Sequence, residues 1–316
     1  MFYIFTAAAG KVRGMAKDGR DVEKMQQIDG RTRLCGLIGN PVEHTMSPVI
    51  HNTLAKMEGR NLAYVPFLVE KGQVRKAVEG AFALDVLGLN VTVPYKSEVM
   101  EYLVGIDGMA EKIGAVNTLV RTEHGYKGYN TDLMGLYRAM CSEGIRIEGE
   151  EILILGAGGA ARAAVFLCVS KGAAKVYILN RTVEKAQAVA EEANRIFGTE
   201  CVEAMPIDGY QRLPEGKKYL AVQATSVGLF PNVEEAAILD RAFYERVHTG
   251  FDLIYRPSST KFMRMVKDAG GEAYHGLKML LYQGIAAYEL WNSVSVSEED
   301  ALMVYGRMKE AMGIEE

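Results

Sequence analysis

The chain has 316 residues, 49% of them hydrophobic and 24% charged, which is the composition of a globular protein long enough for two domains. Its net charge of −4 and its lack of basic blocks argue against nucleic acid as a partner, and no apolar run approaches the length of a membrane span. The four cysteines (Cys35, Cys141, Cys168 and Cys201) lack metal-ligand spacing, so we expect reduced thiols in a cytoplasmic protein, and no metal site.

The first 24 residues have neither helical nor strand periodicity. They begin apolar and then become rich in Gly, Lys, Arg and Asp, which reverses the order found in a signal peptide. We therefore expect a poorly ordered extension over residues 1–24, with Met25 as an alternative start, and no role for it in function.

Strand and helix patterns alternate along the rest of the chain. In the first half we predict strands at Leu34–Ile38, Ala63–Leu68, Leu87–Val93, Gly114–Val120 and Tyr126–Tyr129, and helices from Ser47 towards Met57, over Gln73–Leu84 and from Asp132. In the second half we predict strands at Ile152–Leu155, Val176–Leu179, Leu220–Gln223 and Gly250–Leu253, and helices over Glu184–Phe197 and within Leu277–Met312. This alternation predicts an α/β fold of two domains with mostly parallel sheets.

Three polar segments of the first half are candidates for a substrate site. One of them carries Asn90, Thr92 and Lys96 at the end of a predicted strand, where open α/β sheets bind ligands. Lys96 can equally be a solvated surface lysine, since lysines are mostly exposed. The residues alone leave both interpretations open.

The other two segments are predicted helix starts with the same ambiguity. Thr131 can be an ordinary N-cap, followed by Asp132 in the first turn. Ser47 before Pro48 likewise suits a plain N-cap with proline at the first helical position. A hydroxyl-rich helix start is also a good place for a substrate carboxylate.

Residues 151–182 have the pattern of a dinucleotide-binding βαβ unit. A strand leads into a glycine-rich turn, then a helix-forming run and a second strand; the turn is Gly156, Ala157, Gly158, Gly159, Ala160 and Ala161. Gly156 permits the tight turn, Gly158 lets the backbone approach the phosphates, and Ala161 is small enough for the helix to pack on the strand. The pyrophosphate is then expected at a helix N-terminus.

The end of the second strand favours NADP over NAD. An NAD site usually has Asp or Glu there to bind the ribose 2′-hydroxyl, whereas this chain has Asn180, Arg181 and Thr182. A carboxylate would repel a 2′-phosphate, and a guanidinium with a neighbouring amide and hydroxyl can bind it. We therefore predict NADP (NADPH) as the cofactor.

Taken in order, these segments resemble the shikimate dehydrogenase family from about Thr32 to about Trp291. The motifs that carry the resemblance are Gly39–Pro41 through Ser47–Pro48, Asn90–Lys96, Gly114–Thr118, Asn130–Asp132, Gly156–Ala161, Asn180–Thr182, Ala224–Ser226, Asp252–Pro257 and Gly276 to Gln283. The resemblance implies NADPH-dependent, reversible reduction of 3-dehydroshikimate to shikimate, in chorismate and aromatic amino-acid biosynthesis.

The resemblance also implies roles for individual residues. Lys96 matches the catalytic lysine that gives and takes the proton, and Asp132 matches the aspartate paired with it. The implied substrate-binding residues are Thr45, Ser47, Asn90, Thr92, Asn117, Tyr255 and Gln283. The implied cofactor-binding residues are Gly156, Ala157, Gly158, Gly159, Ala160, Asn180, Arg181, Thr182, Thr225, Ser226 and Gly276.

The family's architecture implies a division of the chain. Residues 25–131 would form a substrate-binding and catalytic domain, residues 132–275 a Rossmann-type NADP-binding domain, and residues 276–316 helices that return to the first domain. The partner is then a small-molecule substrate held in the cleft between domains. Whether the chain forms a homodimer is left open.

One departure from the family keeps an alternative activity open. Many relatives have Ser-x-Ser where this chain has Thr45 and Ser47, and the additional methyl group narrows the pocket. A quinate/shikimate dehydrogenase with NAD or dual cofactor use is therefore the first alternative. A dehydrogenase of an amino-substituted ring and a non-catalytic dinucleotide-sensing regulator are two others, the last disfavoured by the presence of Lys96 and Asp132. We interpret His44 and His51 as structural or surface groups.

Overall fold

The computed structural model describes residues 28–314, so the extension predicted over residues 1–24 lies outside the described residues. Two sheets of six strands each form the framework of the described part. The first sheet contains β1 (Arg33–Gly39), β2 (Leu62–Leu68), β3 (Gly88–Val91), β4 (Gly105–Ile106), β5 (Thr118–Thr122) and β6 (Gly125–Tyr129). Its order is β2-β1-β3-β5-β6-β4, with β5 antiparallel to both of its neighbours and the other pairs parallel.

The second sheet is parallel throughout. It contains β7 (Glu151–Leu155), β8 (Lys175–Asn180), β9 (Val202–Pro206), β10 (Tyr219–Gln223), β11 (Val247–Asp252) and β12 (Glu272–His275). Its order is β12-β11-β10-β7-β8-β9, so the chain leaves β7 for β8 on one side and later returns to β10 on the other. The crevice at this switch point is where open α/β sheets bind dinucleotides. The α/β prediction with a Rossmann-type sheet is confirmed.

The helices cover both sheets. In chain order they are α1 (Ser47–Met57), α2 (Val74–Ala83), α3 (Gly108–Ile113), α4 (Thr131–Ser142), α5 (Gly159–Ser170), α6 (Val183–Phe197), α7 (Arg241–Tyr244), α8 (Lys261–Asp268), α9 (Leu277–Asn292) and α10 (Glu298–Met312). None of them, within residues 28–314, is long and apolar enough to cross a membrane. One buried apolar cluster extends from β1 through α4 and α9 to α5 and β7, so α4 lies in the contact between the two halves.

Helix α9 lies against the first sheet although it follows the second sheet in sequence. The indole of Trp291 donates a hydrogen bond of 2.8 Å to the carbonyl of Leu119 in β5. Gly135 of α4 permits the close approach of the two helices, because a Cβ there would lie 2.6 Å from the backbone nitrogen of Gln283. These contacts fix the relative positions of α4 and α9. The domain boundaries given above stay a prediction.

Several predicted elements have different limits in the structure. Residues 114–117 are not a strand, because α3 ends at Ile113, Gly114 caps it with a left-handed φ of 68°, and β5 begins only at Thr118. The strand predicted over Leu87–Val93 is shorter, so Thr92 lies beyond its end. The helical segment predicted over residues 277–312 is broken between α9 and α10, where Ser293 has a φ of 53°.

Both predicted N-caps are displaced by one residue. Met46 occupies the cap position of α1, which leaves Ser47 inside the first turn. Asn130 caps α4 by accepting a hydrogen bond from the backbone of Leu133, so Thr131 is the first helical residue. In both cases the hydroxyl is free of the capping role assigned to it.

Candidate active site

A cleft of about 360 Å³ opens at the ends of β1 and β3 and is closed on its far side by residues from the second half of the chain. That size lies within the range of small-molecule sites. The polar and ionisable residues lining it are His44, Thr45, Ser47, Asn90, Thr92, Lys96, Asn117, Asp132, Tyr255 and Gln283. The structure therefore brings together all nine catalytic and substrate-binding residues that the family resemblance implied.

Lys96 and Asp132 form an ion pair within this cleft. The Nζ of Lys96 donates to Oδ2 of Asp132 across 2.6 Å, and both side chains are partly exposed. Lys96 follows the turn after β3, where its carbonyl accepts a hydrogen bond of 2.8 Å from the backbone of Val116. Asp132 lies in the first turn of α4, where the helix dipole favours its negative charge. The pair thus presents an ammonium that is held on one side by a carboxylate.

Asn117 connects the first sheet to α4. Its side-chain oxygen accepts hydrogen bonds from the backbone nitrogen of Thr131 at 2.7 Å and from the hydroxyl of Thr118 at 3.1 Å. Because these bonds occupy the oxygen, the amide NH₂ is the group that Asn117 can offer to a ligand. The same contact fixes the start of the helix that carries Asp132.

The side chain of Asn90 is oriented by a hydrogen bond from Tyr64, whose ring is part of an aromatic stack. The hydroxyl of Tyr64 donates to its side-chain oxygen at 2.8 Å, and the amide nitrogen donates to the hydroxyl of Thr118 at 3.1 Å. The ring of His51 lies 4.2 Å from that of Tyr64 and nearly parallel to it. Burial lowers the pKa of His51 to about 3, so this imidazole is neutral and packs as an aromatic ring. This agrees with the structural role predicted for His51.

The start of α1 presents two hydroxyl groups to the cleft. The hydroxyl of Thr45 donates to that of Ser47 at 3.2 Å, and the backbone nitrogen of Ser47 donates to Thr45 Oγ1 at 3.3 Å. The first turn contains no acidic residue and the cap makes no side-chain hydrogen bond. A carboxylate is therefore favoured here by the helix dipole and by two hydroxyl donors. His44 also lines the cleft, a position that the sequence pattern did not indicate.

Six residues of the second half complete the cleft: Leu253, Tyr255, Gly276, Met279, Leu280 and Gln283. Gln283 projects from α9 and donates from its amide nitrogen to the carbonyl of Leu280 at 2.8 Å, and Tyr255 follows β11. Gly276, which the resemblance assigned to the cofactor, lines this cleft in the structure and does not line the separate pocket beside the glycine turn at Gly156. It has to be glycine because a Cβ would lie 2.3 Å from the carbonyl oxygen of Leu253.

A second pocket, of about 660 Å³, lies at the switch point of the second sheet. It is lined by Gly156, Ala157, Gly158, Asn180, Arg181, Thr182, Thr225 and Ser226, all of which were implied as cofactor-binding residues. Gly159 and Ala160 are the first residues of α5 and are exposed beside the pocket. The first N–H groups of an α-helix lack intrahelical partners, so this turn can receive a pyrophosphate.

Backbone geometry at the glycine turn fits a dinucleotide. Gly156 has a φ of 109°, and a Cβ there would lie 2.9 Å from the methyl group of Thr225. A Cβ at Gly158 would meet nothing within 4 Å, so the space above that glycine is open. At Gly156 a side chain would therefore clash with the protein itself. At Gly158 a side chain would instead occupy the open space that a dinucleotide can use.

The far end of the pocket is basic. Arg181 is exposed, and within residues 28–314 no carboxylate is within ion-pair distance of it. The amide nitrogen of Asn180 donates to the carbonyl of Thr182 at 2.8 Å and so fixes the turn that presents the guanidinium. Lys185 and Lys261 line the same pocket and were missed from the sequence. Lys185 lies in the first turn of α6, so its spacing from Arg181 could have indicated it.

Asp252 is a buried carboxyl group that the two clefts do not use directly. It accepts hydrogen bonds from the hydroxyl of Thr260 at 2.6 Å and from the backbone nitrogen of Ile254 at 2.9 Å, and thereby holds the loop that carries Tyr255. Burial raises its pKa to about 7, against an ordinary value of 3.8. Between pH 3.8 and about pH 7, the Asp252 carboxyl group is therefore protonated in the folded state and ionised in the unfolded state.

We expect Asp252 to make the fold less stable as pH rises. A folded-state pKa above the unfolded one gives stability that is complete below about pH 4 and lost as pH rises through about 7. For this group the loss between pH 5 and pH 8 is about 3 kcal/mol. The Asp252→Asn variant keeps an acceptor and removes the titration, so its urea unfolding free energy should fall less over the same interval. Equal declines in both proteins would contradict the assignment.

Comparison with known proteins agrees with this geometry. The sequence profile of the shikimate dehydrogenase substrate binding domain matches residues 37–119, and that of shikimate/quinate 5-dehydrogenase matches residues 140–211. The shikimate dehydrogenase (NADP(+)) of Methanothermobacter thermautotrophicus is 40% identical over 269 residues, which cover 84% of this chain and 92% of that protein.

Solved structures give the same result. A crystal structure of a shikimate dehydrogenase in complex with NADP+ has a TM-score of 0.81 at 35% identity, and the match covers 90% of this chain and 98% of that one. The shikimate 5-dehydrogenase of Listeria monocytogenes, solved with shikimate and NAD, has a TM-score of 0.81 at 29% identity, with 90% and 98% covered. Identity and coverage of this extent show that the chain belongs to the shikimate dehydrogenase (NADP(+)) family.

Proposed function

We propose that this protein catalyses the reversible, NADPH-dependent reduction of the ring ketone of 3-dehydroshikimate to shikimate, with Lys96 as proton donor. The observation that carries the proposal is the Lys96–Asp132 pair, whose atoms lie 2.6 Å apart in a cleft beside the dinucleotide pocket. The two clefts adjoin because β10 and β11 are neighbouring strands, the end of β10 facing the cofactor pocket and the end of β11 the substrate cleft.

The substrate is held by its carboxylate and its hydroxyl groups. Thr45 and Ser47 at the start of α1 receive the carboxylate, with His44 and Tyr255 beside them. The NH₂ of Asn117, the amide of Gln283 and the hydroxyl of Thr92 face the ring, and Asn90 is oriented by Tyr64. A polyhydroxylated ring suits such a lining, because an analogue lacking a hydroxyl would leave a buried polar group unpaired.

Lys96 supplies the proton of the reduction. Bound NADPH supplies the hydride, and negative charge grows on the carbonyl oxygen as the ketone carbon accepts it. The ammonium stabilises that charge and donates its proton to the oxygen. Asp132 orients the ammonium through the ion pair. Because the Lys96 side chain is about a third exposed, solvent can restore its proton after each cycle.

The cofactor site uses its two ends for different groups. The turn from Gly156 to Ala160 and the start of α5 receive the pyrophosphate, while Asn180, Arg181 and Thr182 receive the adenosine ribose and its 2′-phosphate. Thr225 and Ser226 form the wall on the nicotinamide side. NADP(+) stands in the name of the Methanothermobacter relative and in the shikimate dehydrogenase structure solved with NADP+. Arg181, which has no carboxylate within ion-pair distance among residues 28–314, is the feature of this chain that suits it.

The test is the initial rate of the purified protein with shikimate or quinate, each with NADP and NAD. Shikimate with NADP far ahead of the other three pairs is the expected result. Comparable rates with quinate would favour the dual-specificity alternative and place the difference at Thr45, whose methyl group shapes the carboxylate end of the cleft. A folded protein that binds NADPH and turns over neither substrate would contradict the proposal.

Two wider expectations accompany this activity, and the oligomeric state is open to measurement. We propose that the substrate and cofactor regions fold as the domains given above, residues 25–131 and 132–275, with residues 276–316 returning to the first. A cytoplasmic location is consistent with four free cysteines, as a reducing compartment maintains. Light scattering at assay concentration distinguishes a monomer from a homodimer.

A further inference from the structure

Gln223 is a buried amide at the centre of the cofactor side. It is the last residue of β10, is 1% exposed, and lies opposite Leu155 of β7 on one side and Asp252 of β11 on the other. Strand β7 leads into the glycine turn, and β11 leads into the loop that carries Tyr255. A polar side chain in this position has to find its hydrogen bonds within the protein.

Both ends of this amide bind the turn formed by residues 225–227. The side-chain oxygen of Gln223 accepts from the backbone nitrogen and from the hydroxyl of Thr225, each at 2.8 Å. Its nitrogen donates to the carbonyl of Val227 at 3.0 Å and to the carbonyl of Thr225 at 3.4 Å. The hydroxyl of Thr225 in turn accepts from the backbone nitrogen of Val227 at 3.1 Å. The turn is therefore closed around a single side chain.

These bonds change the role expected of Thr225. Its hydroxyl donates to Gln223 and accepts from Val227, so it is committed within the protein. What Thr225 can offer a nicotinamide is its backbone and its methyl group, and the methyl group packs against Gly156. The hydroxyl thus shapes the pocket wall, together with Ser226 and Val227, which also line the pocket.

We propose that Gln223 is a positioning residue, which holds the 225–227 turn against the nicotinamide end of the cofactor and so sets its approach to the substrate. This inference rests on the proposed function. The methyl group of Thr225 packs directly against Gly156 of the glycine turn in the wall of the pocket, so a shift of the 225–227 turn alters the position of a ligand held there. Misplacement by about 1 Å can cost about 100-fold in rate.

The test compares Gln223→Met with Gln187→Met. The first keeps the length of the side chain and removes all four hydrogen-bonding contacts, whereas Gln187 lies exposed on α6, outside both clefts. For each protein we would first measure the unfolding midpoint. Fluorescence would give the NADPH dissociation constant and the emission of bound NADPH. Steady-state kinetics would give kcat and KM for shikimate, together with the isotope effect on kcat when shikimate is deuterated at the carbon that yields the hydride.

The expected result for Gln223→Met is a fall in kcat of about 10- to 100-fold. KM for shikimate should stay within about twofold, the NADPH dissociation constant should rise less than kcat falls, and the isotope effect should increase. A folded variant with unchanged kcat and isotope effect would overturn the proposal and leave Gln223 a merely structural residue. Gln187→Met should match the unsubstituted protein.

Two further outcomes keep the proposal testable. If Gln223→Met does not fold, Thr225→Val removes the hydroxyl while keeping its shape, and the same fall in kcat with a larger isotope effect is expected; unchanged values would overturn the proposal. If the unsubstituted protein turns over no shikimate, the proposed function fails on its own. NADPH emission then decides for Gln223: an altered bound-state emission in Gln223→Met supports the positioning role, and an unchanged one overturns it.

Discussion

The Lys96→Ala variant is expected to lose about 10²- to 10⁴-fold in kcat, which is the usual contribution of a positioned general acid. The ammonium is the cationic group within reach of Asp132 at the base of the substrate cleft, and alanine leaves the carbonyl oxygen without a donor. NADPH affinity should be unchanged, because Lys96 does not line the dinucleotide pocket. Steady-state kinetics and a fluorescence titration with NADPH measure the two quantities separately.

A matched control separates this effect from the loss of a positive charge. Lys76 is exposed on α2 and lines neither cleft, so Lys76→Ala should retain full activity. Asp132→Asn keeps the shape of the partner without its charge and should lose less than Lys96→Ala, because the proton donor is still present. Near-normal turnover by folded Lys96→Ala would remove Lys96 from the chemistry.

The pairing of Lys96 with Asp132 shows what the sequence could and could not predict. A strand end before Lys96 and a helix start at Asp132 were both visible as local patterns, because periodicity and turn residues are local signals. Their distance of 2.6 Å depends on the packing of α4 beside the end of β3, which Asn117 and Gly135 help to fix. Only the family resemblance connected residues 36 positions apart.

Very short elements, and helices whose first residue is displaced, could not be predicted accurately from sequence periodicity. Strand β4 has two residues and helix α7 has four, so neither completes enough of a period to stand out. The one-residue displacement at Ser47 has a similar origin, because Ser-Pro is compatible with a helix that starts at either position. Elements such as β7 and α6 were found with limits close to those observed.

Buried polar residues could not be interpreted from their own positions. Gln223 and Asp252 each end an apolar strand, and in a sequence such a residue is indistinguishable from the first residue of a loop. Their function depends on the hydrogen bonds they form two to eight residues later, to Thr225 and Val227 in one case and to Ile254 and Thr260 in the other. Only the three-dimensional structure shows that these two residues, at the ends of neighbouring strands, hold the loops that line the two clefts.

The Arg181→Ala variant is expected to raise KM for NADP by about 10- to 100-fold, the value of one or two charge-assisted hydrogen bonds. Arg181 lines the end of the pocket that we propose for the adenosine, and Asn180 fixes the turn that presents it. KM for NAD should change little, because NAD has no 2′-phosphate for the guanidinium to bind. The ratio of kcat/KM values for the two cofactors therefore measures this contact and cancels any general loss of activity.

Two comparisons make this result specific. Arg195 is exposed further along α6 and lines neither cleft, so Arg195→Ala should leave the cofactor ratio unchanged. Lys185→Ala should lower the ratio by less than Arg181→Ala does, because an ammonium approaches the phosphate as a point charge and lacks the bidentate geometry of a guanidinium. Equal losses with NADP and NAD in Arg181→Ala would assign Arg181 to the shared part of the cofactor, and the preference for NADP would then have to come from Lys185, Lys261 or the α6 helix start.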